Sequence, residues 1–419
     1  MTTCYLLMMK GGFSYMNKQL MILLTGRIIT NFADSFYMIA TIWYVKSTTS
    51  SPLLIGLTSA VAILPVTIQF LYGPIIDRFS KKKILYVAML GQGVLVSAIS
   101  ILYYTNLLWL PLLFTMMFVA LSLSECTYPT ESALIESLTP REQLTKVNSI
   151  FAFSYQTLDI LCDAASGILI AFVGLGLIYV TNSVLLIGTG MLFLFYLSVP
   201  RSKKETEVRT VRLIRQYRED FKEGFLVVKR RHTLLSMVFG IIVMNVMATM
   251  GMAMLPVISD SSAEYGFWLT AMSLGTLTGT AISSKLEKIA LNRILPLLSL
   301  WSGLCWMLAF ALKDSSIMPY LLFALSWMGI GIIGIYVQTL IQVNLPKGYI
   351  GIGFAFTSSL LGSLSPLGYL LGGVIGEFTS GRFLLVISGV GYLVFALYFR
   401  VNPKLRNLNK PLSVRFEES

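Results

Sequence analysis

Uninterrupted apolar runs, each about 20 residues long, recur along the whole of this chain and constrain its fold more than any other feature. A helix rises about 1.5 Å per residue, so each run is long enough to cross a bilayer's hydrocarbon core, about 30 Å thick. The apolar residues are continuous and do not alternate with period two, which excludes a sheet or barrel as the main architecture. Of the 419 residues, 55% are hydrophobic and 12% charged, and soluble domains carry about twice that charged share. The expectation is an all-α polytopic membrane protein.

Charged or Pro/Gly-marked breaks divide the sequence into twelve spans, at residues 20–45, 53–74, 84–105, 108–134, 146–173, 177–199, 233–257, 266–284, 293–312, 318–342, 350–376 and 382–399. One long break, 200–232, separates six spans from six. The expected organisation is therefore a bundle over 1–199, a basic linker over 200–232, a second bundle over 233–400 and a tail over 401–419. With both ends on one side, 28 of the 32 Lys/Arg fall in the segments of that side. The exceptions are Lys46, Lys313 and Arg382 on the other side and Arg27 inside a span. By the positive-inside rule, both termini are expected in the cytoplasm of a multi-pass cell-membrane protein. The start "MTTCYLLMMKGGFSYMNKQL" has too short an apolar core for a cleavable signal, and Met16 reads as a natural start before span 1. In the linker, Val208, Val211, Leu213, Ile214, Phe221, Phe225 and Val228 lie among basic residues. They read as an amphipathic surface helix, either an interdomain latch or a linker held by anionic lipid.

Several function classes fall away. The net charge of +12 lies in loops beside spans, so anionic membrane lipids are the expected partners and nucleic acid is not. With one histidine, His232, and four scattered cysteines, no protein-built metal or haem site and no cofactor are expected. No catalytic Ser/His/Asp set or HExxH motif is present, which argues against an enzyme.

The two halves echo one another. Span 5 carries "FAF" at 151–153 and span 11 at 354–356, each after a proline-containing loop. Two six-helix bundles related by a pseudo-twofold axis along the membrane normal are expected from such duplication. Between spans 2 and 3, "GPIIDRFSKKKIL" supplies Gly73, Asp77, Arg78, Lys81 and Lys82. Their spacing resembles the G-x-x-x-D-R-x-G-R-K signature of the major facilitator superfamily, with Ser80 in place of the usual glycine. Pro129, Ala133, Pro140 and "EQLTK" (142–146) make the chain most similar to that family's proton-coupled drug and macrolide exporters. It departs from them in lacking a mid-span arginine in span 4, and "DILCDAASG" replaces the glycine-proline motif of span 5. A version of that motif stands instead in span 11, at Pro366, Gly368, Gly372 and Gly373. The resemblance implies a transporter fold of twelve helices, alternating access, and a conformational latch at the Gly73–Lys82 loop that stabilises the outward-open form. Asp77, placed before span 3, is also expected to cap that helix, with Arg78 and the start of span 11 as its other partners.

Charges inside spans are costly and mark function by default. Arg27, Asn31 and Asp34 share one face of span 1 at offsets of four and seven. Glu125 and Glu131 flank Pro129 on span 4, where the proline is expected to bend the helix. At similar depth, Glu125 is the natural partner of Arg27, with a structural ion pair as the plain alternative. Asp159 and Asp163 lie one turn apart on span 5, and two carboxylates that close suit proton coupling or a divalent ligand. The proton-coupling candidates are thus Asp34, Glu125, Asp159 and Asp163. For a substrate cavity they are Arg27, Asn31, Glu131, Asn245, Trp327, Tyr336, Gln338 and Gln342. Five acids against one arginine favour a cationic, zwitterionic or neutral small-molecule substrate. The expected function is proton-driven export of a small amphipathic molecule by a monomer. The alternatives are export of a secreted metabolite such as a siderophore, export of a lipid, or a non-transporting sensor.

Overall fold

The computed structural model describes residues 17–72, 79–199, 231–315, 317–344 and 359–408, together with Glu219, Leu226, Lys229 and Thr357. Within these residues each of the twelve expected spans is helical. Span 1 is Lys18–Thr49, span 2 Pro52–Thr67, span 3 Lys81–Tyr104, span 5 Leu144–Val173 and span 6 Leu175–Tyr196. Span 8 is Ser262–Ser283, span 9 Leu291–Ala311, span 10 Met318–Asn344 and span 11 Ser365–Gly376 with a preceding turn. Besides span 11, which is interrupted at Leu364, three spans are broken. Span 4 is Leu110–Glu125 then Thr127–Leu138, span 7 is His232–Met252 then Leu255–Ile258, and span 12 is Gly381–Ser388 then Val390–Val401. Among the described residues, eight helices are long and apolar enough to cross a membrane; spans 1, 2 and 8 are not among them. Span 1 carries Lys18, Arg27, Asp34 and Lys46, which lower its mean hydropathy. The basic linker and the loop residues Gly73, Asp77 and Arg78 lie outside the described residues.

Chain contacts divide the molecule into two units: residues 1–41 with 64–214, and residues 42–63 with 215–419. In the first, spans 3 and 6 lie close, since a Cβ on Gly93 would stand 3.0 Å from the Ile187 backbone nitrogen. Span 3 begins at Ser80, whose side chain accepts from the Lys83 N–H at 3.3 Å. Ser80, not Asp77, is thus the cap of span 3. Its φ of −61° is ordinary extended backbone, so the turn needs no glycine there. Lys81 and Lys82 are half-buried in the first turn, at the positive end of the helix dipole, where a cation gains nothing from the helix.

In the second unit, spans 8 and 10 meet backbone to backbone. A Cβ on Gly275 would lie 2.2 Å from the Ala324 carbonyl oxygen, and one on Gly279 2.1 Å from that of Met328. Small residues four apart let helices approach closely in lipid. Gly279→Leu is therefore expected to cost about 3 kcal/mol or more through forced separation of the helices. A large fall in thermal stability and in monodisperse protein on size-exclusion chromatography would register it; wild-type melting would refute it. Around spans 9 and 10 lies an aromatic core in which Trp306 contacts Phe310, Phe323 and Tyr392 at 5.1–5.8 Å between centroids. At the break in span 12 the Gly389 N–H bonds Val386 instead of Leu385, and the Trp306 indole donates to the freed Leu385 carbonyl at 2.8 Å.

The three cations that the charge bias sets apart all serve helix ends in this unit. Lys46 donates to the Val257 carbonyl at 2.8 Å, and Lys313 to that of Ile258, both at the end of span 7. Arg382 donates to the Phe310 and Ala311 carbonyls at 2.9 and 2.6 Å, at the end of span 9, and to Asp314 at 2.7 Å. Cations at C-terminal carbonyls are favoured by hydrogen bonding and by the helix dipole.

Span 2 starts with its donors accounted for. Pro52 has none, the Leu54 N–H reaches the Ser51 hydroxyl at 3.3 Å, and the Leu53 N–H reaches the Glu377 carboxylate at 3.0 Å. The Ser51 hydroxyl also donates to Glu377. These two bonds, that from Ser51 foremost, hold the Glu377 carboxyl below its ordinary 4.5. A carboxylate depressed on folding stabilises fully above its unfolded value and loses that contribution as pH falls through the folded one. Glu377→Ala should therefore melt below wild type at neutral pH, with the gap closing as pH falls below the ordinary carboxylate range. A melting series across pH checks this, and a gap that does not change with pH would contradict it.

Candidate functional site

In the first unit, Pro129 shapes the site. Lacking an N–H, it cannot bond the carbonyl four residues back, that of Glu125, and the helix breaks at Cys126. The Gln69 side-chain amide fills the gap, donating to the Glu125 carbonyl at 3.2 Å and to its carboxylate Oε2 at 3.0 Å. Glu125 is thus held by a neutral partner beside the kink, and the expected Arg27–Glu125 pairing is not what forms.

Arg27 pairs instead with Glu131, one and a half turns further along, with Nε 3.6 Å from Oε2. Both residues are buried, at 7% and 4% exposure. The guanidinium carbon also lies 5.0 Å from the Tyr128 ring centroid and 4.8 Å from that of Tyr155. Tyr128 and Glu131 share a face of span 4 at i, i+3, which brings ring and carboxylate to the same cation. Beside them is a cavity of about 540 Å³, lined by Arg27, Tyr128, Glu131, Glu136, Asn148 and Tyr155 among others.

Asp34, two turns along span 1, has a different environment. Its Oδ1 accepts from the Gln92 amide of span 3, and its Oδ2 from the Ser124 hydroxyl of span 4. Both hydrogen-bond partners are neutral and both donate, so the arrangement suits the ionised carboxylate. It also suits the acid. The Gln92 Oε1 is buried with no hydrogen-bond partner among the described residues, so a half-turn of that amide offers an acceptor to a protonated Asp34. The Asn31 Nδ2, between Arg27 and Asp34 on the same helix, is likewise buried without a partner among the described residues.

The sequence matches the Major Facilitator Superfamily over residues 23–366. The chain belongs to that superfamily. It is similar to an MFS-type transporter of Bacillus subtilis (strain 168), YfiS, with 24% identity over 93% of this chain and 94% of that one. Solved structures share the fold at lower identity. A bacterial homologue of the human lysosomal transporter Spinster, in an inward-facing and unoccupied conformation, superposes with a TM-score of 0.67 at 14% identity, covering 96% of this chain and 98% of that one. The nucleoside transporter NupG gives 0.67 at 12% identity, covering 90% and 99%. The chain is thus a secondary transporter with the twelve-helix, two-bundle fold, and not an enzyme.

The second unit of this MFS protein holds a smaller cavity, about 300 Å³, walled by Ile241, Met244, Val337 and Leu361 with Asn245 and Gln338 as its polar groups. The Asn245 amide reaches the Leu361 carbonyl at 3.4 Å. Tyr336 is buried elsewhere, its hydroxyl donated to the Ser283 carbonyl at 2.8 Å. Trp327 belongs to the aromatic core, 6.2 Å from Trp306. The side chains of Asp159, Asp163 and Gln342 lie outside the described residues. Gln69, Gln92, Ser124, Tyr128 and Tyr155 escaped the sequence reading because neutral polar and aromatic side chains are cheap in spans and carry no charge signal. For Gln69 and Tyr128 the signal was their tie to Pro129, one as the substitute donor and one as its neighbour.

Proposed function

We propose that this superfamily member exports a small amphipathic molecule across the cell membrane in exchange for protons. The observation that carries the reading is the division of labour between two carboxylates of the first unit. Glu131 is paired with Arg27 at the wall of a cavity large enough for a small organic molecule. Asp34 is held by neutral donors that can serve either protonation state, which leaves it able to load and release a proton. Alternating access with both termini in the cytoplasm then carries substrate and proton in opposite directions. Glu125, with its amide partner, is a second proton carrier, and Asp159 and Asp163 remain candidates on span 5. The loop bearing Asp77 and Lys82 acts as the latch between states.

Export of an anionic chelator is disfavoured, since Arg27 is paired and does not offer a free charge. A cationic or neutral amphipathic cargo fits the acid-rich, aromatic lining. Cells producing the protein are expected to retain less of a fluorescent lipophilic cation than cells without it. An uncoupler should erase the difference. Equal retention before the uncoupler is added would sink the export reading, and a difference that survives it would sink proton coupling.

A further inference from the structure

The cavity beside Arg27 carries a charge imbalance. Among the described residues its charged lining groups are Arg27, Glu131 and Glu136, two acids against one base. Aromatic ring faces, a buried carboxylate and a residual negative charge are the parts of a cation cage. A cation already stands in it, the Arg27 guanidinium itself, 5.0 and 4.8 Å from the two tyrosine centroids. Its hold on Glu131 is loose. An arginine built to pair with a carboxylate presents two parallel N–H groups at about 2.8 Å. Here Nε approaches at 3.6 Å, outside ordinary hydrogen-bond distance. Held over the two rings, Arg27 meets Glu131 through Nε alone at that distance, while a free guanidinium can present two parallel N–H groups.

We propose that Tyr128, Tyr155 and Glu131 form a recognition site for a planar organic monocation of guanidinium or amidinium type, with Arg27 as a tethered occupant displaced when substrate arrives. This names the substrate class of the site proposed above and rests on that reading for direction and driving force. The binding step stands without it. The charges balance: two acids accept two cations, the substrate on Glu131 and the displaced Arg27 on Glu136, which lines the same cavity and is exposed. An unoccupied site keeps Arg27 over Glu131, so the buried carboxylate is never stranded between cycles.

The test uses full-length protein in nanodiscs, titrated calorimetrically with benzylguanidinium. A competitor that fills the cage in about nine molecules of ten weakens apparent affinity about tenfold. Arg27→Met is therefore expected to bind the probe about tenfold more tightly than wild type. Adding Tyr128→Leu or Glu131→Gln to that variant should remove the gain. Arg27→Lys keeps the charge but loses the flat stacking group, so it should bind more tightly than wild type by a smaller factor, and it provides the same test if the methionine variant does not fold. No gain in either folded variant overturns the proposal. So does binding of benzylsulfonate by wild type that disappears in the variants, since that would make Arg27 a ligand for anions. Tight binding without transport would sink the export reading alone. Failure of the binding test beside proton-driven export of another molecule would sink this proposal alone.

Discussion

Arg27→Met is expected to lower the stability of the folded protein by about 3 kcal/mol, near the bottom of the range for breaking a buried pair because the contact is long, at 3.6 Å. The cost comes from the partner left behind. Glu131 is 4% exposed, and with no cation beside it the carboxylate is neither paired nor well hydrated. Loss of the two ring contacts adds to it, at about 0.5–1 kcal/mol each. Glu131→Gln costs less, because Arg27 can turn to Glu136 in the same cavity. The double variant Arg27→Met/Glu131→Gln strands neither and should be more stable than the two single losses summed, by about 1 kcal/mol or more. Thermal melting of the four proteins closes the cycle. Strict additivity would mean that Arg27 and Glu131 do not interact in the folded protein.

Asp34→Asn is expected to abolish transport driven by a pH gradient while sparing exchange of substrate for substrate across the membrane. Asparagine matches aspartate in shape, and its amide keeps partners: the oxygen accepts from Ser124 and the nitrogen donates to a turned Gln92. The fold should therefore survive. What is lost is the ability to exist in two charge states, which net exchange with protons needs and substrate counterflow does not. Proteoliposomes report both fluxes. If gradient-driven flux persists in Asp34→Asn, Asp34 is not the proton carrier, and Glu125 with its Gln69 partner becomes the group to examine.

The fold was largely legible because the bilayer imposes it. A continuous apolar run has few alternatives to a spanning helix, so span after span appears where hydropathy places it, with ends shifted by a few residues. The breaks were harder. Pro129 announced the one in span 4, but Gly389 in span 12 lies in an unremarkable apolar stretch, and the break shows through the Trp306 indole and the Ser388 hydroxyl that take the freed carbonyl. Span 1's polar face, Arg27 to Asp34, was readable from offsets of four and seven. Its partners were not, because depth along a helix does not fix rotation about it. Arg27 and Glu125 match in depth, yet the chain turns through a kink between Glu125 and Glu131, and the later acid faces the arginine. Neutral partners were missed for a related reason. Gln69, Gln92 and Ser124 are ordinary span residues until a carboxylate from another helix meets them. Tyr336 shows the converse, an amphipathic residue that suited a cavity by type but spends its hydroxyl on a backbone carbonyl in the packed interior.

The most direct test of the central claim, that this protein exchanges an organic cation for protons, is uptake of labelled benzylguanidinium into proteoliposomes containing the purified chain and an acidic lumen. The guanidinium stays charged at working pH, so passive trapping of a neutral base does not imitate transport. The cation is expected to accumulate inside as protons leave, and to stop accumulating when an ionophore collapses the pH gradient. Equal uptake with and without the gradient would contradict it.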